Sequence, residues 1–203
     1  MPASANIRLV AGLGNPGREH AATRHNAGFW FVDALARSLG AAFSHEARFG
    51  GEVARAGNLR LAKPMTYMNL SGRTVAGLAR FYGYEPHDIL VVHDELDLPA
   101  GDARIKRGGG VAGHNGLRDI RAQLASADFW RLRLGIGHPR DSDMPQQAVV
   151  DYVLKPPRRD EREAIDDAIH RVIAAWSDIA RGDMEHAMQV LHTRANEPKG
   201  APQ

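Results

Sequence analysis

Short apolar runs alternate along the chain with longer segments in which apolar residues recur every three or four positions. The short runs are typical of buried strands, and the helical spacing is typical of amphipathic helices. Phe29, Val32 and Leu39, for example, lie on one face of a predicted helix. Gly40 follows directly and is a typical helix stop. The pattern predicts strands at 7–13, 52–56, 59–63, 89–93, 103–107 and 130–137, and helices at 26–39, 71–82, 114–124, 158–181 and 183–193.

Strands that alternate with helices predict an α/β fold. We expect a single domain over residues 1–193 with three α/β/α layers and a mixed, mostly parallel, twisted sheet. Gly57 and Asn58 separate two strand runs and predict a hairpin, and Ser71 is a predicted helix cap. The connection 144–157 is expected to hold one helical turn, and residues 194–203 a flexible tail.

Composition excludes several classes of protein. The 203 residues contain no cysteine, so disulfides, thiolate metal sites and a thiol nucleophile are excluded. The N-terminal residues lack the basic start of a signal peptide, and no apolar run reaches membrane-spanning length. We therefore expect a cytoplasmic protein with no membrane partner.

The net charge of +2 hides an uneven distribution. Residues 104–140 contain eight basic and two acidic residues, whereas residues 160–185 contain eight acidic and three basic residues. A basic middle and an acidic C-terminal helix indicate a surface that binds a polyanion. Two solvated helix faces would give the same pattern, so charge alone leaves both interpretations open.

The glycines of the first loop imitate a nucleotide-binding motif. Gly12, Gly14 and Gly17 match G-x-G-x-x-G directly after a strand, as in dinucleotide-binding proteins. That motif needs a helix that begins inside the loop and an acidic residue that ends the next strand. Residues 19–25 lack apolar periodicity, and Asp33 lies inside the next predicted helix. We expect the glycines to shape a turn instead of binding a nicotinamide cofactor.

His25 is the candidate general base. It lies in a polar loop before a helix, and Asp94 ends a buried strand. A carboxylate that binds one ring nitrogen fixes the tautomer and stabilises the imidazolium. The chain has no G-x-S-x-G nucleophile elbow and no H-E-x-x-H zinc motif. These residues predict direct attack by water, with no metal and no cofactor, although a lone loop histidine is often only structural.

Three asparagines lie at strand-to-helix transitions where ligands bind in such sheets: Asn15, Asn69 and Asn115. An amide offers a donor and an acceptor together, so it can hold a substrate, orient a water or stabilise an oxyanion. Asparagine at such a position is also a common turn former or helix cap. Their shared place at one sheet edge favours the functional interpretation.

Basic residues on a predicted strand suit phosphate. Arg104 and Lys106 alternate and therefore point to one face, and Arg133 lies on the next predicted strand. A charged edge strand in contact with solvent is the alternative.

Five segments together resemble one family, the bacterial-type peptidyl-tRNA hydrolases. They occur in that family's order, and the resemblance covers about residues 7–192. The segments are GLGNPG at 12–17, TRHNAGF at 23–29, KPMTYMNLSG at 63–72, HDELDLP at 93–99 and GHNGLRD at 113–119.

The resemblance implies cleavage of the ester between a peptide and the 3′-terminal ribose of tRNA, which recycles prematurely released peptidyl-tRNA. It implies that His25 is the catalytic base and that Asp94 supports it. It also implies that Asn15 discriminates blocked from free aminoacyl-tRNA and that Arg104 and Lys106 hold the tRNA 5′-phosphate. Substrate contacts are implied for His20, Tyr67, Met68, Asn69, His114 and Asn115.

Members of this family are monomers with a single α/β domain, no obligatory cofactor and no obligatory protein partner. This chain departs from the usual family sequence at His20, Tyr67 and the pair Val111-Ala112, where Tyr, Phe and His-Gly are usual. The first two side chains can still stack on a nucleotide, whereas the third change stiffens a glycine-rich loop.

A non-enzymatic RNA-binding module is the alternative class. Against it, no aromatic residue interrupts residues 104–107.

Overall fold

Seven strands form one twisted sheet in the computed structural model, which describes residues 6–194. Their order across the sheet is β2-β3-β4-β1-β5-β7-β6, so β2 and β6 are the edge strands. The strands are β1 Leu9–Gly12, β2 Ser44–Glu46, β3 Gly51–Ala56, β4 Leu59–Pro64, β5 Ile89–Glu95, β6 Ala103–Arg107 and β7 Trp130–Gly135.

The centre of the sheet is parallel and its margins are antiparallel. β1 pairs in parallel with β4 and β5, and β5 pairs in parallel with β7. β3 forms the predicted hairpin with β4, and β6 returns antiparallel beside β7. The central strands are buried on both faces, which explains their continuous apolar runs. The predicted mixed α/β sheet is confirmed.

Helices cover both faces. Phe31 and Val32 of one helix pack with Val10 and Val92 on one face, and Leu117 of another packs with its neighbours on the opposite face. The first layer holds α1 and α5–α7, and the second holds α2 and α3. The helices are α1 Ala27–Ser38, α2 Ser71–Tyr82, α3 Asn115–Leu124, α4 Val149–Val153, α5 Arg159–Ala174, α6 Trp176–Ala180 and α7 Met184–Arg194.

Three details differ from the sequence-based predictions. β2 was not predicted, because its three polar residues carry no apolar alternation. The predicted helix 158–181 is interrupted at Ala175, without any Gly or Pro to mark the break. Ser71 does not cap α2, because its Oγ donates to the carbonyl of Met68 at 2.7 Å, inside the 3-10 turn that precedes the helix.

Two glycines bring α1 close to the end of the sheet. A Cβ on Gly28 would lie 2.3 Å from the main-chain nitrogen of Leu13 and 2.4 Å from the carbonyl oxygen of Val92. A Cβ on Gly12 would lie 2.2 Å from the carbonyl oxygen of Gly28. Any larger side chain would push α1 away, so these glycines hold the loop before α1, which contains His25, against the sheet.

None of the helices within residues 6–194 has the length and apolarity needed to cross a membrane. The predicted tail at 194–203 lies outside the described residues, except for Arg194 at the end of α7. The single domain over 1–193 stays a prediction.

Candidate active site

A cleft of about 840 Å³ opens at the carboxyl ends of β1 and β5. Parallel α/β sheets bind their ligands at this edge, because loops diverge there and leave a crevice. His25, Asp94 and Asn15 all line the cleft, although they are far apart in sequence. The structure therefore brings the predicted base, its carboxylate and the first asparagine together.

His25 and Asp94 form a direct pair. The ring Nδ1 of His25 lies 3.0 Å from both carboxylate oxygens of Asp94, and both side chains are largely buried. Burial alone would lower the pKa of His25, but the charge of Asp94 and its hydrogen bond outweigh burial and raise that pKa above 6.5. With its Nδ1 proton held by Asp94, the imidazole presents Nε2 as the free acceptor.

His114 binds the same carboxylate in a different way. Its Nε2 donates to Asp94 Oδ1 at 2.9 Å, and its Nδ1 accepts from the main-chain N–H of Leu117 at 3.4 Å. His114 is thus the N-cap of α3, and both of its nitrogens are occupied. Burial would raise the pKa of Asp94, but the two histidines, His25 first, hold that pKa well below its usual range.

His93 is a third histidine at the cleft that sequence reasoning did not single out. It is fully buried in β5, and its Nδ1 donates to the carbonyl of Asp94 at 2.8 Å. Burial, reinforced by His114, lowers the pKa of His93 to about 3, so the ring is neutral. A polar residue at the end of a buried apolar run was the signal that could have identified it.

Asn15 is held in one orientation by two neighbours. Its Oδ1 accepts from the main-chain N–H of Met68 at 2.8 Å. The Asn26 side chain makes two hydrogen bonds with the Asn15 main chain. It donates to the carbonyl and accepts from the N–H, both at 2.9 Å. Within residues 6–194 no partner accepts from Asn15 Nδ2, which leaves this donor for a ligand. The sequence predicted Asn26 only as the start of a helix. Its position directly after His25 was the feature that could have identified it as part of the site.

The other predicted substrate contacts surround the same cleft. Asn69 and Asn115 are exposed along it, and Asn115 Oδ1 accepts from Arg118 Nη1 at 3.3 Å. Met68 is buried at its floor, whereas Tyr67 is 66% exposed at its rim.

His20 is the exception. It does not line the cleft, and its Nε2 lies 3.8 Å from a carboxylate oxygen of Glu19. The structure therefore does not group His20 with the other predicted site residues.

The glycines of the first loop do not open a helix. Only turns lie between Gly17 and the 3-10 turn at Arg24–Asn26, and α1 begins at Ala27. A dinucleotide fold would start its helix inside the glycine loop, with N–H groups directed at the pyrophosphate. The prediction that the first helix begins near Asn26, after the glycine loop, agrees with the structure.

Cations approach the cleft from β6 and β7. Lys106 and Arg133 line it, whereas Arg104 lies outside it, opposite Arg133 in the antiparallel register. Arg133 Nε donates to Glu95 Oε2 at 2.9 Å, so part of its charge is compensated. Arg104 Nη2 lies 3.9 Å from Asp102 Oδ2, and the Arg104 side chain is half-exposed. Lys106 and Arg104 point to one face, as the alternation predicted.

Comparison with known proteins identifies the family. A sequence model of the family described as peptidyl-tRNA hydrolase matches residues 9–199. A peptidyl-tRNA hydrolase from Cupriavidus necator is 57% identical over 195 residues, which cover 92% of this chain and 98% of the relative. This chain belongs to the peptidyl-tRNA hydrolase family. The resemblance seen in the sequence motifs is therefore confirmed, and the chain is an enzyme, a hydrolase of that family.

Other members of the family agree in sequence and fold. A peptidyl-tRNA hydrolase from Thiobacillus denitrificans is 52% identical, with 98% of this chain and 96% of the relative covered. The crystal structure of peptidyl-tRNA hydrolase from Acinetobacter baumannii superposes with a TM-score of 0.85. Its sequence is 44% identical, and the match covers 92% of this chain and 95% of that chain.

The loop that departs from the usual peptidyl-tRNA hydrolase sequence has an unusual backbone. Ala112 has φ +46°, a left-handed conformation that costs a non-glycine residue roughly 1–2 kcal/mol. Arg131, which sequence reasoning missed, is buried beneath the loop and donates to the carbonyls of Gly108 and Gly110. Arg131 therefore fixes the first part of the loop that leads to His114.

The histidines could also act as metal ligands. One atom each from His25, Asp94 and His114 lies within 4.8 Å of the others. Both imidazole nitrogens concerned already donate to Asp94, so a cation would have to displace two protons. Hydrogen bonding accounts for the positions of all three side chains.

Proposed function

We propose that the enzyme hydrolyses the ester between a peptide and the 3′-terminal ribose of peptidyl-tRNA, with His25 as general base. The observation that carries this proposal is the His25–Asp94 pair. Asp94 holds the Nδ1 proton, so Nε2 is free to take a proton from water at the cleft. The water then attacks the ester carbonyl, and the ribose oxygen leaves with a proton returned from the imidazolium.

The geometry favours His25 over His114 as the base. His114 binds Asp94 through one nitrogen and caps α3 through the other. Protonation of His114 would break the cap and leave a main-chain N–H of α3 without its acceptor. Among the residues described, Nε2 of His25 takes part in no hydrogen bond that protonation would break.

Asn15, Asn69 and Asn115 are proposed to bind the peptide side of the ester. The unpaired Nδ2 of Asn15 suits a carbonyl oxygen of the substrate or the oxyanion that develops on it. Loss of one oxyanion donor costs about 3 kcal/mol in other hydrolases. An N-blocked substrate has an amide carbonyl that free aminoacyl-tRNA lacks, and a hydrogen bond from Asn15 Nδ2 to that carbonyl would discriminate between the two.

The tRNA is proposed to lie over β6 and β7. Lys106 at the cleft and Arg104 beyond it form a path of positive charge away from His25, and Arg133 adds to it. Phosphate groups bind such cations.

We further propose that the enzyme is cytoplasmic. We also propose that it is a monomer without an obligatory protein partner, because every proposed catalytic group comes from this one chain.

One assay tests the reaction and the base together. Purified enzyme is incubated with N-acetylated and with free aminoacyl-tRNA, and peptide release is followed. We expect hydrolysis of the blocked substrate, and a loss of roughly 10²–10⁴-fold in kcat for His25→Ala. His45→Ala, an exposed histidine on β2, is the matched control and should keep the full rate. No release by the wild type would refute the reaction, and full activity of His25→Ala would refute the base.

A further inference from the structure

Arg24, whose guanidinium joins its own loop to α4 and α5 beside the cleft, is only 6% exposed. Its Nη2 donates to Glu161 Oε2 at 2.8 Å, at the start of α5. Its Nη1 donates to the carbonyl of Tyr152 in the last turn of α4 at 3.2 Å, and to that of Lys155, two residues beyond α4, at 3.4 Å. A buried charge of this kind is stable only because it is paired and hydrogen-bonded.

Further contacts hold the same residue to α4. The guanidinium carbon of Arg24 lies 3.9 Å from the centre of the Tyr152 ring. Tyr152 is itself fixed, because its hydroxyl donates to the carbonyl of Ile136 at 2.9 Å. The main-chain N–H of Arg24 donates to the carbonyl of Lys155 at 3.1 Å. Arg24 therefore binds α4 through its side chain, and binds the segment directly after α4 through both its side chain and its main chain.

The helix α4 depends on such contacts. It has only five residues, and helices that short do not persist without tertiary support. The last carbonyls of a helix have no partner within it, and a cation placed there is favourable. Arg24 meets both needs at the C-terminal end of α4.

The other side of α4 is an apolar wall of the cleft. Val149, Val150 and Leu154 line the cleft, yet they are 42%, 60% and 38% exposed. Exposed apolar side chains along a cleft are typical of a surface that is covered when a ligand binds. Arg24 directly precedes His25 in the chain, so the residue that holds the wall lies next to the base, which is itself held by Asp94.

We propose that Arg24 is a positioning residue that holds the apolar wall of α4 in place relative to His25. The wall then contacts the part of the substrate beside the scissile ester. This inference rests on the proposed function, because the wall matters only if a substrate occupies the cleft. If the contacts of Arg24 with α4 weaken, substrate binding should weaken while His25 keeps its function as the base. This is because Asp94 holds His25 through hydrogen bonds that do not involve Arg24.

Arg24→Lys is the first test. Lysine keeps the charge near Glu161 but lacks the fork that reaches two carbonyls and stacks on a ring. We expect KM for N-acetylated aminoacyl-tRNA to rise roughly threefold to tenfold, with kcat within about twofold and the pH midpoint unchanged. Arg159→Lys is the matched control, because Arg159 is an exposed residue of α5 paired with Glu163 at 2.9 Å. Its kinetic constants should not change.

A double-mutant cycle shows whether the effect passes through the wall. Val150→Ala removes a largely exposed side chain and should leave folding intact. In that background, Arg24→Lys should raise KM less than in the wild type, because residues that act as a unit are not additive. Equal effects in both backgrounds, or a fall in kcat with a shifted pH midpoint and unchanged KM, would overturn the proposal.

Hydrogen exchange tests the anchor without any substrate. Arg24→Lys, and to a smaller extent Glu161→Gln, should speed exchange at residues 152–155 relative to the middle of α5. Unchanged exchange at α4 in both variants would refute the anchor, even if the enzyme is active. Conversely, faster exchange in these variants together with no peptide release by the wild type would support the anchor and refute the proposed function.

Discussion

Asp94 joins two of the histidines at the cleft, and the proposed mechanism depends on it. It accepts N–H groups from His25 and His114, yet the two histidines have different roles because only His114 also caps a helix. The sequence predicted His25 and Asp94 as a pair, since a loop histidine and a strand-terminal carboxylate are recognisable in a single chain. It could not predict how His114 binds, because that depends on how α3 packs above the sheet.

The pH dependence of activity follows from this pair. His25 must be neutral to act as a base, and its pKa lies above 6.5 because Asp94 outweighs burial. We expect kcat/KM to rise with pH through a midpoint above 6.5 and then to level off. Asp94→Asn should move the midpoint to lower pH and reduce the rate roughly 10²–10⁴-fold. An unchanged midpoint in Asp94→Asn would contradict the assignment.

Asp94 also makes stability depend on pH. The pKa of its carboxyl in the fold lies well below the unfolded value of about 3.9, because His25 and His114 outweigh burial. Its contribution is therefore present above about pH 3.9 and is lost as the pH falls toward the folded pKa. Urea unfolding should show a larger free-energy difference between wild type and Asp94→Asn at pH 7 than at pH 3. The exposed Asp141→Asn should show no such change.

Among the secondary-structure elements, apolar periodicity predicted the buried strands and the long helices well. It missed β2, whose pairing with β3 is a main-chain interaction that needs no apolar side chain. The helical turn expected within 144–157 is present as α4, but nothing in the local sequence showed that α4 would contact Arg24. The missed features are those that depend on contacts between residues distant in the chain.

The end of α3 offers a test of local conformation. Ala125 has φ +51° at the C-cap, a conformation that costs roughly 1–2 kcal/mol for alanine but little for glycine. Ala125→Gly should raise the free energy of unfolding by about 0.5–1 kcal/mol after the loss of chain entropy. Ala122→Gly, at an exposed position inside α3, should lower it by about 1 kcal/mol. Two variants of the same sign would contradict this account.

At the scale of the whole molecule, the site lies where all three layers meet. His25 comes from the loop before α1, Asp94 from the sheet, and His114 from the start of α3 on the opposite face. The close approach of Gly28 to the sheet makes this junction possible. Sequence motifs identified the participants, but only the packing of the layers explains why they are in contact.

The proposed path of the tRNA across the molecule is tested by charge removal. Arg104→Ala combined with Lys106→Ala should weaken tRNA binding and reduce the slope of log K against log salt by roughly one to two. Hydrolysis of a small ester without a phosphate should not change. Arg55→Ala combined with Arg159→Ala removes the same charge from exposed positions elsewhere and is the matched control. Equal losses on both substrates, or in both variants, would argue against the path.

The position of β6 at the edge of the sheet affects how copies of the protein interact with one another in solution. Among residues 6–194, β6 pairs with a strand on one side only, so its other side presents main-chain donors and acceptors. Such an edge invites pairing with the same strand of another copy, and lysine or arginine on the strand discourages it by repulsion. We therefore expect Arg104 and Lys106 to discourage such pairing between copies. The variant Arg104→Ala combined with Lys106→Ala, made to weaken tRNA binding, should therefore also aggregate more readily.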